Sequence, residues 1–268
     1  MKKIGLYVLM TALPLCARVH AQSSTEGAEA MRGSSPQWQL GVGVISSDHA
    51  YAGSGSQITP IPLVDYEGKR FFFREVEGGV HLWKSAQRNF TIDAIIAPGF
   101  NNINANEFSR DVLARRGINR DDLDNRYRSI DVGLAATIRG AVGQFHLEAK
   151  SDVSGNSKGP EFSLQYGYPM QWGRLHIEPS VSATFLSSDV ANYYYGIHRD
   201  EIIRGVPGYQ PGGALIPAAS VSIARPVGAK WVLMFNAKVQ VLPSKIKDSP
   251  LVDRSYGSSV FVGIARKF

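Results

Sequence analysis

Along the second half of the chain, apolar and polar residues trade places with a period of two. Leu175, Ile177, Pro179, Val181, Ala183 and Phe185 alternate with Arg174, His176, Glu178, Ser180, Ser182 and Thr184. Phe90, Ile92, Ala94 and Ile96 alternate with Thr91, Asp93, Ile95 and Ala97, and Phe145, Leu147 and Ala149 oppose Gln144, His146, Glu148 and Lys150. Ile130, Val132, Leu134, Ala136 and Ile138 oppose Asp131, Thr137 and Arg139; Trp231, Leu233, Phe235, Ala237 and Val239 oppose Asn236, Lys238 and Gln240. Period two marks a strand with one apolar and one polar face. Strands are expected near 37–46, 56–66, 70–84, 89–99, 127–139, 142–152, 160–170, 173–186, 190–197, 213–225, 229–242 and 257–268. That makes about twelve, the even number of a bacterial outer-membrane barrel.

The recurrence predicts an all-β chain: an antiparallel transmembrane β-barrel over 37–268, with lipid outside and a polar interior. A charge facing hydrocarbon at mid-membrane costs roughly 2–4 kcal/mol, whereas one facing a wet lumen costs little, so the alternation is enforced around the whole wall. The parity assigns Asp131, Arg139, Glu148, Lys150, Glu161, Arg174, Glu178 and Lys238 to the lumen. Both signs are present, which argues against strong ion selectivity. Trp38, Trp83, Trp172 and Trp231 fall at expected strand ends, where an aromatic girdle sits. Prolines interrupt the pattern. Pro60, Pro62 and Pro98 fit at barrel rims, while Pro179 and Pro217 look central and predict bulges or shortened strands. The polar segment from Asn101 to Arg126 follows the fourth expected strand, which places it on the periplasmic side.

The N-terminus reads as an export signal over residues 1–21: Lys2 and Lys3, an apolar run from Ile4 to Leu15, and a small-residue site at Val19-His20-Ala21. That run is too short to span a membrane as a helix. Residues 22–36 are rich in Ser, Gly, Glu and Ala and read as a flexible periplasmic leader. Removing the signal takes Lys2, Lys3 and Arg18 with it, lowering the formal net charge from +6 to +3. This is no nucleic-acid footprint. Cys16, the single cysteine, leaves with the signal, so neither a disulfide nor a thiolate metal site is expected.

The last residues run Val260, Val262 and Ile264 on one face to a terminal Phe268, resembling the signal by which the barrel assembly machinery recognises outer-membrane proteins; Arg266 stands where an aromatic is commoner. Longer segments carry a family resemblance. They are Tyr51-Ala52-Gly53-Ser54, then Thr59-Pro60-Ile61-Pro62-Leu63-Val64-Asp65-Tyr66, then Arg70-Phe71-Phe72-Phe73. Further on come Asn192-Tyr193-Tyr194-Tyr195-Gly196-Ile197, Gly205 to Gly213, and Asp248-Ser249-Pro250-Leu251-Val252. In order and spacing these resemble the MipA/OmpV family of outer-membrane proteins, from about Trp38 to Phe268. The resemblance implies a barrel in the Gram-negative outer membrane, in contact with its lipid, that scaffolds a murein-degrading lytic transglycosylase and a bifunctional penicillin-binding protein. It carries no catalytic residues.

Chemistry has few other candidates. His49 lies beside Asp48, and His198 beside Asp200 and Glu201, so a hydrolytic site at the barrel mouth is conceivable; solvated loop histidines are the simpler reading. His81, His146 and His176 lie in mid-strand. No cofactor, metal or catalytic residue is expected. The reading is a non-enzymatic scaffold, with Asn101 to Arg126 as part of the partner surface. The alternative is a narrow pore for small solutes.

Overall fold

The computed structural model describes residues 37–87, 89–99 and 102–268. The expected export segment and leader lie outside them. The strands are β1 (Gln37–Asp48), β2 (Ser56–Glu67), β3 (Phe71–Arg74), β4 (Glu77–Lys84), β5 (Phe90–Pro98), β6 (Ile130–Gly140) and β7 (Gly143–Asp152), followed by β8 (Pro160–Gly167), β9 (Met170–Trp172), β10 (Leu175–Leu186), β11 (Ala214–Val227), β12 (Trp231–Val241) and β13 (Tyr256–Lys267). They pair antiparallel in one sheet, and β13 returns to β1 through registers such as Leu40↔Arg266 and Val44↔Val262. Both β8 and β9 pair with β10, so they are two pieces of one wall strand, broken at Tyr168-Pro169. The result is a closed barrel of twelve strands, whose described residues leave a free edge only along part of β2.

The alternation is realised side chain by side chain. On β7 Gln144, His146, Glu148 and Lys150 are buried inside while Phe145, Leu147 and Ala149 are exposed outside, and β5, β6, β10 and β12 follow their expected parity. One end of the barrel carries only short turns, at 68–70, 85–89, 141–142, 173–174 and 228–230. The other carries long loops at 49–55, 102–129, 153–159, 187–213 and 242–255. Outer-membrane barrels keep short turns periplasmic and long loops outside. All four tryptophans stand at the turn end. Trp38 lies against Tyr66 at 4.7 Å and Trp83 against Phe90 at 5.1 Å, so the girdle there is built partly of aromatic pairs.

Two expected strands were of the wrong kind, and the errors compensate. Residues 70–84 form a hairpin, β3 and β4, instead of one strand. Glu75 turns the chain at φ 54°, its N–H bound to the Val64 carbonyl at 3.0 Å and to Asp65 Oδ1 at 3.2 Å. Residues 190–197 are mostly helix, α2 (Ser188–Tyr195) in a series with α1 (Arg110–Ala114), α3 (Arg199–Ile203) and α4 (Ser244–Lys247). Ser187 caps α2 by accepting from the Val190 N–H, and Val190, Ala191, Tyr194 and Tyr195 bury one helical face. The total stays at twelve, but each strand between the two errors runs opposite to expectation. The polar segment after β5 therefore lies at the loop end and not on the periplasmic side.

The prolines are also resolved. Pro98 ends β5 at a rim as expected. Opposite Pro179, β8 and β9 are interrupted, and Tyr168 N–H reaches the Pro179 carbonyl at 3.0 Å. Pro217 shortens nothing: it lies one position beyond the last β11–β12 pair, Ala218↔Gln240, where no donor is required. Pro60 and Pro62 are not at a rim but in the middle of β2. Their edge explains them. The Gly68 N–H and the Val64 carbonyl point toward β3, so alternate residues Pro62, Pro60 and Ile58 turn their backbone atoms the same way. Beyond Asp65↔Arg74 no strand among the described residues pairs along that edge. Proline removes donors that membrane would leave unsatisfied.

Candidate functional site: a packed lumen beneath a folded cap

The inner wall divides into two sectors. On β1, β2 and β11 to β13 it is apolar: Ile45, Ile61, Leu63, Ala224, Val232, Met234, Phe261 and Ala265 form one buried cluster. Phe261 is 1 % exposed and lies flat over two glycines. A Cβ at Gly43 would come 2.4 Å from its ring, and one at Gly263 would come 2.6 Å from it. On β2 to β8 the wall is ionic. His81 bridges two acids, Nδ1 to Asp93 Oδ1 at 2.6 Å and Nε2 to Glu67 Oε1 at 2.9 Å. Arg74 and Lys84 also reach Glu67, each at 3.2 Å. Lys150 pairs with Glu148 on its own strand and with Glu161 across to β8 at 3.4 Å, and Gln144 donates to Glu178 at 2.9 Å. A third strip, facing inward from β8 and β10 to β12, stays partly accessible: Ser163, Gln165, His176, Ser182, Thr184, Ser220, Lys238 and Gln240. The interior is filled on two sides and partly accessible on the third.

Four outer loops fold over the mouth and share a dry core. Tyr51 stacks on Tyr195 at 5.6 Å and meets Phe108 edge-on at 5.8 Å. Leu113, Val190, Ala191, Tyr194, Ile197, Ile246 and Leu251 close around them. Beneath this core Arg126 and Glu201 form a fully buried ion pair: Arg126 Nη2 donates to Glu201 Oε2 at 2.7 Å and Nη1 to Oε1. Glu201 also accepts from the Asp124 N–H at 2.7 Å and the His198 N–H at 2.6 Å, so each carboxylate oxygen receives two hydrogen bonds. Arg116 ties α1 to the last loop through the Pro250 and Val252 carbonyls, at 2.7 and 2.8 Å.

The residues singled out in the sequence separate into three places. Asp131, Glu148, Lys150, Glu161 and Glu178 are buried on the inner wall, with Arg139 and Lys238 half-buried there. Arg174 is a correction: it lies exposed in the turn before β10 and belongs to the rim. Asp65 and Tyr66 hold the β3 turn and the girdle, whereas Tyr194, Tyr195, Gly196, Asp248, Ser249 and Pro250 build the cap. Ser249 Oγ donates to the Tyr195 carbonyl at 2.6 Å, and the Gly196 carbonyl accepts from Arg126 at 3.0 Å. Val260, Val262 and Ile264 form an outward row on β13, with Phe268 just beyond it; Trp231, paired with Arg266, supplies the aromatic missing at that position. The sequence reading missed the Arg126–Glu201 pair and the Asp93–His81–Glu67 bridge. The second had a signal, since both acids lie on strands next to the β3–β4 hairpin; the first had none, its partners being 75 residues apart.

At His49 and His198 the geometry of the described residues does not favour hydrolysis or metal binding. The His198 ring stacks on Tyr193 and its Nε2 lies 3.0 Å from the Tyr193 carbonyl, while His49 offers its carbonyl to Ser54 Oγ. Burial and the Arg126 charge hold His198 below the usual imidazole range, and burial lowers His49 against the pull of Asp48. Asp124, His198 and Glu201 come close enough to be considered for a cation. Both oxygens of Glu201 are already taken by Arg126, however, and a cation there would sit against a guanidinium.

The family model "MltA-interacting protein MipA" matches residues 40–268. The MltA-interacting protein of Escherichia coli (strain K12) is 28 % identical over 260 residues, covering 97 % of this chain and all of the relative. The outer membrane protein OmpV of Vibrio cholerae is 26 % identical over 131 residues, covering 49 % of this chain and 51 % of the relative. Among solved structures, an outer membrane channel from Pseudomonas putida F1 aligns over 88 % of this chain and 96 % of its own, with a TM-score of 0.42 at 9 % identity. The chain therefore belongs to the MltA-interacting protein MipA family and is a twelve-stranded β-barrel of the Gram-negative outer membrane.

Proposed function

We propose that this barrel is a non-enzymatic, non-conducting anchor that holds a murein-degrading lytic transglycosylase, and with it a penicillin-binding protein, at the outer membrane. The observation carrying this reading is the filled interior: Ile45, Leu63, Phe261 and Ala265 on one side and the Lys150 and His81 networks on the other leave little room for a solute. The name of the Escherichia coli relative, MltA-interacting protein, supports the partner class. The contact surface moves from the 102–126 segment, which sits in the cap, to the turn end with exposed Lys69, Arg70 and Arg174. Capture of the transglycosylase by the solubilised full-length protein tests this. Capture is expected to survive replacement of Ala105–Asp122 by a short linker and to fall when Lys69, Arg70 and Arg174 are changed to Glu. Loss with the cap deletion alone would reverse the assignment.

The partly accessible strip along β8 and β10 to β12 favours a second reading, a narrow pore for small solutes. Planar-bilayer recording separates the two. A silent bilayer fits the anchor, and discrete openings from the intact protein fit the pore.

A further inference from the structure

Three cations near the turn end have no acidic partner among the described residues: Arg225 on β11, Lys230 in the following turn, and Arg266 on β13. The two arginines are on the lipid side of the wall, since each follows a lumen-facing alanine, Ala224 and Ala265, both buried. The ladder places them around one strand: Arg225 pairs with Leu233, Val227 with Trp231, and Trp231 with Arg266. Neighbouring strands lie about 4.8 Å apart, so the two guanidinium-bearing strands stand roughly 10 Å apart across β12. Arg266 is held in place, its Cζ 5.0 Å from the Phe268 ring and 6.0 Å from that of Trp231. Its Nε is buried and without a hydrogen-bond partner.

A cation on the lipid side of the wall would be costly at mid-membrane, but near the interface it can meet an anion. Tryptophan and the terminal phenylalanine fix this level as the headgroup interface, where long basic side chains reach for phosphate. A guanidinium fork suits a phosphodiester by making two parallel hydrogen bonds. We propose that Arg225, Lys230 and Arg266, flanked by Trp231 and Phe268, form a binding site for the headgroup of an anionic phospholipid in the leaflet at the turn end. The separation of the arginines suits a headgroup with two phosphates.

The test uses the full-length protein in mild detergent, with retained lipid read by native mass spectrometry and affinity by thermal shift. Diphosphatidylglycerol is expected to remain bound after washing and to raise the melting temperature, whereas phosphatidylethanolamine does neither. Combined Arg225→Gln, Lys230→Gln and Arg266→Gln should weaken that binding at least ten-fold. Lys245→Gln with Lys247→Gln, at the opposite end, should leave it unchanged. Should the triple variant fail to fold in unheated gels, Arg266→Gln alone decides, with a loss of three-fold or more expected. Unchanged affinity in the variants overturns the site, as does equal binding of the two lipids. Displacement by equimolar inorganic phosphate would make it a site for free anions. Loss of a co-purifying protein with lipid retention intact would make it a protein surface.

Discussion

Phe261 can lie flat against the inner wall because Gly43 and Gly263 offer no side chain to lift it. This reciprocal fit makes a testable pair. Phe261→Ala removes a buried ring and should destabilise the barrel by about 3–5 kcal/mol, measured as urea unfolding in micelles. Gly43→Leu forces the ring off the wall and should also destabilise, because over-packing a filled interior displaces its neighbours. Combining the two should recover part of the loss, since the new side chain occupies the space the ring left. Strict additivity of the two effects would show that ring and glycines do not share that space. The ion pair in the cap behaves differently. Glu201→Gln leaves the Arg126 guanidinium buried without its counter-charge, a change worth about 3–5 kcal/mol. The penalty falls on the cap, so protease cleavage within 187–213 should accelerate while the heat-resistant migration of the barrel persists.

At the scale of elements, the cap's stability depends on pH. His198 and His49 are both held neutral by burial, with pKa values below the ordinary 6.5. An opened cap therefore binds these protons more readily than a closed one. Their contribution is complete above 6.5 and is lost as pH falls from there through the folded values. Glu107 works the other way, its carboxyl raised by burial, but from an ordinary value of 4.5. Amide protection in 187–213, corrected for the pH dependence of intrinsic exchange, should fall between pH 7.5 and 5.5, and His198→Gln should flatten that fall. The elements also show what a sequence discloses. The walls were legible because lipid and lumen impose period two on every strand. The segment 190–197 was misread because three consecutive tyrosines suit a strand locally, while the Ser187 cap and the burial of Tyr194 and Tyr195 select the helix. The hairpin at Glu75 was hidden within a run from Phe71 to Lys84 that lacks a Gly-containing turn. Its bend depends on Asp65, a residue on the preceding strand. The cap's buried pair joins two loops that become neighbours only once the barrel has closed.

For the molecule as a whole, the question is what the cap does for a barrel whose described strands pair all round except along part of β2. The β13–β1 registers seal the cylinder without it, and the apolar and ionic sectors pack below it. The strip along β8 and β10 to β12 stays partly accessible, and the loop carrying α2 and α3 connects β10 to β11 at its mouth. The cap therefore stands where a solute entering that strip would have to pass. Replacing Ser188–Gly212 with a short Gly-Ser linker removes this roof and half of the Arg126–Glu201 pair, but no residue of a strand. The shortened protein should still fold as a barrel, because its wall bonds run between strands. It should then show small openings in a planar bilayer where the intact chain is silent. If the shortened barrel is folded and equally silent, the lumen packing alone closes the molecule and the cap serves another end.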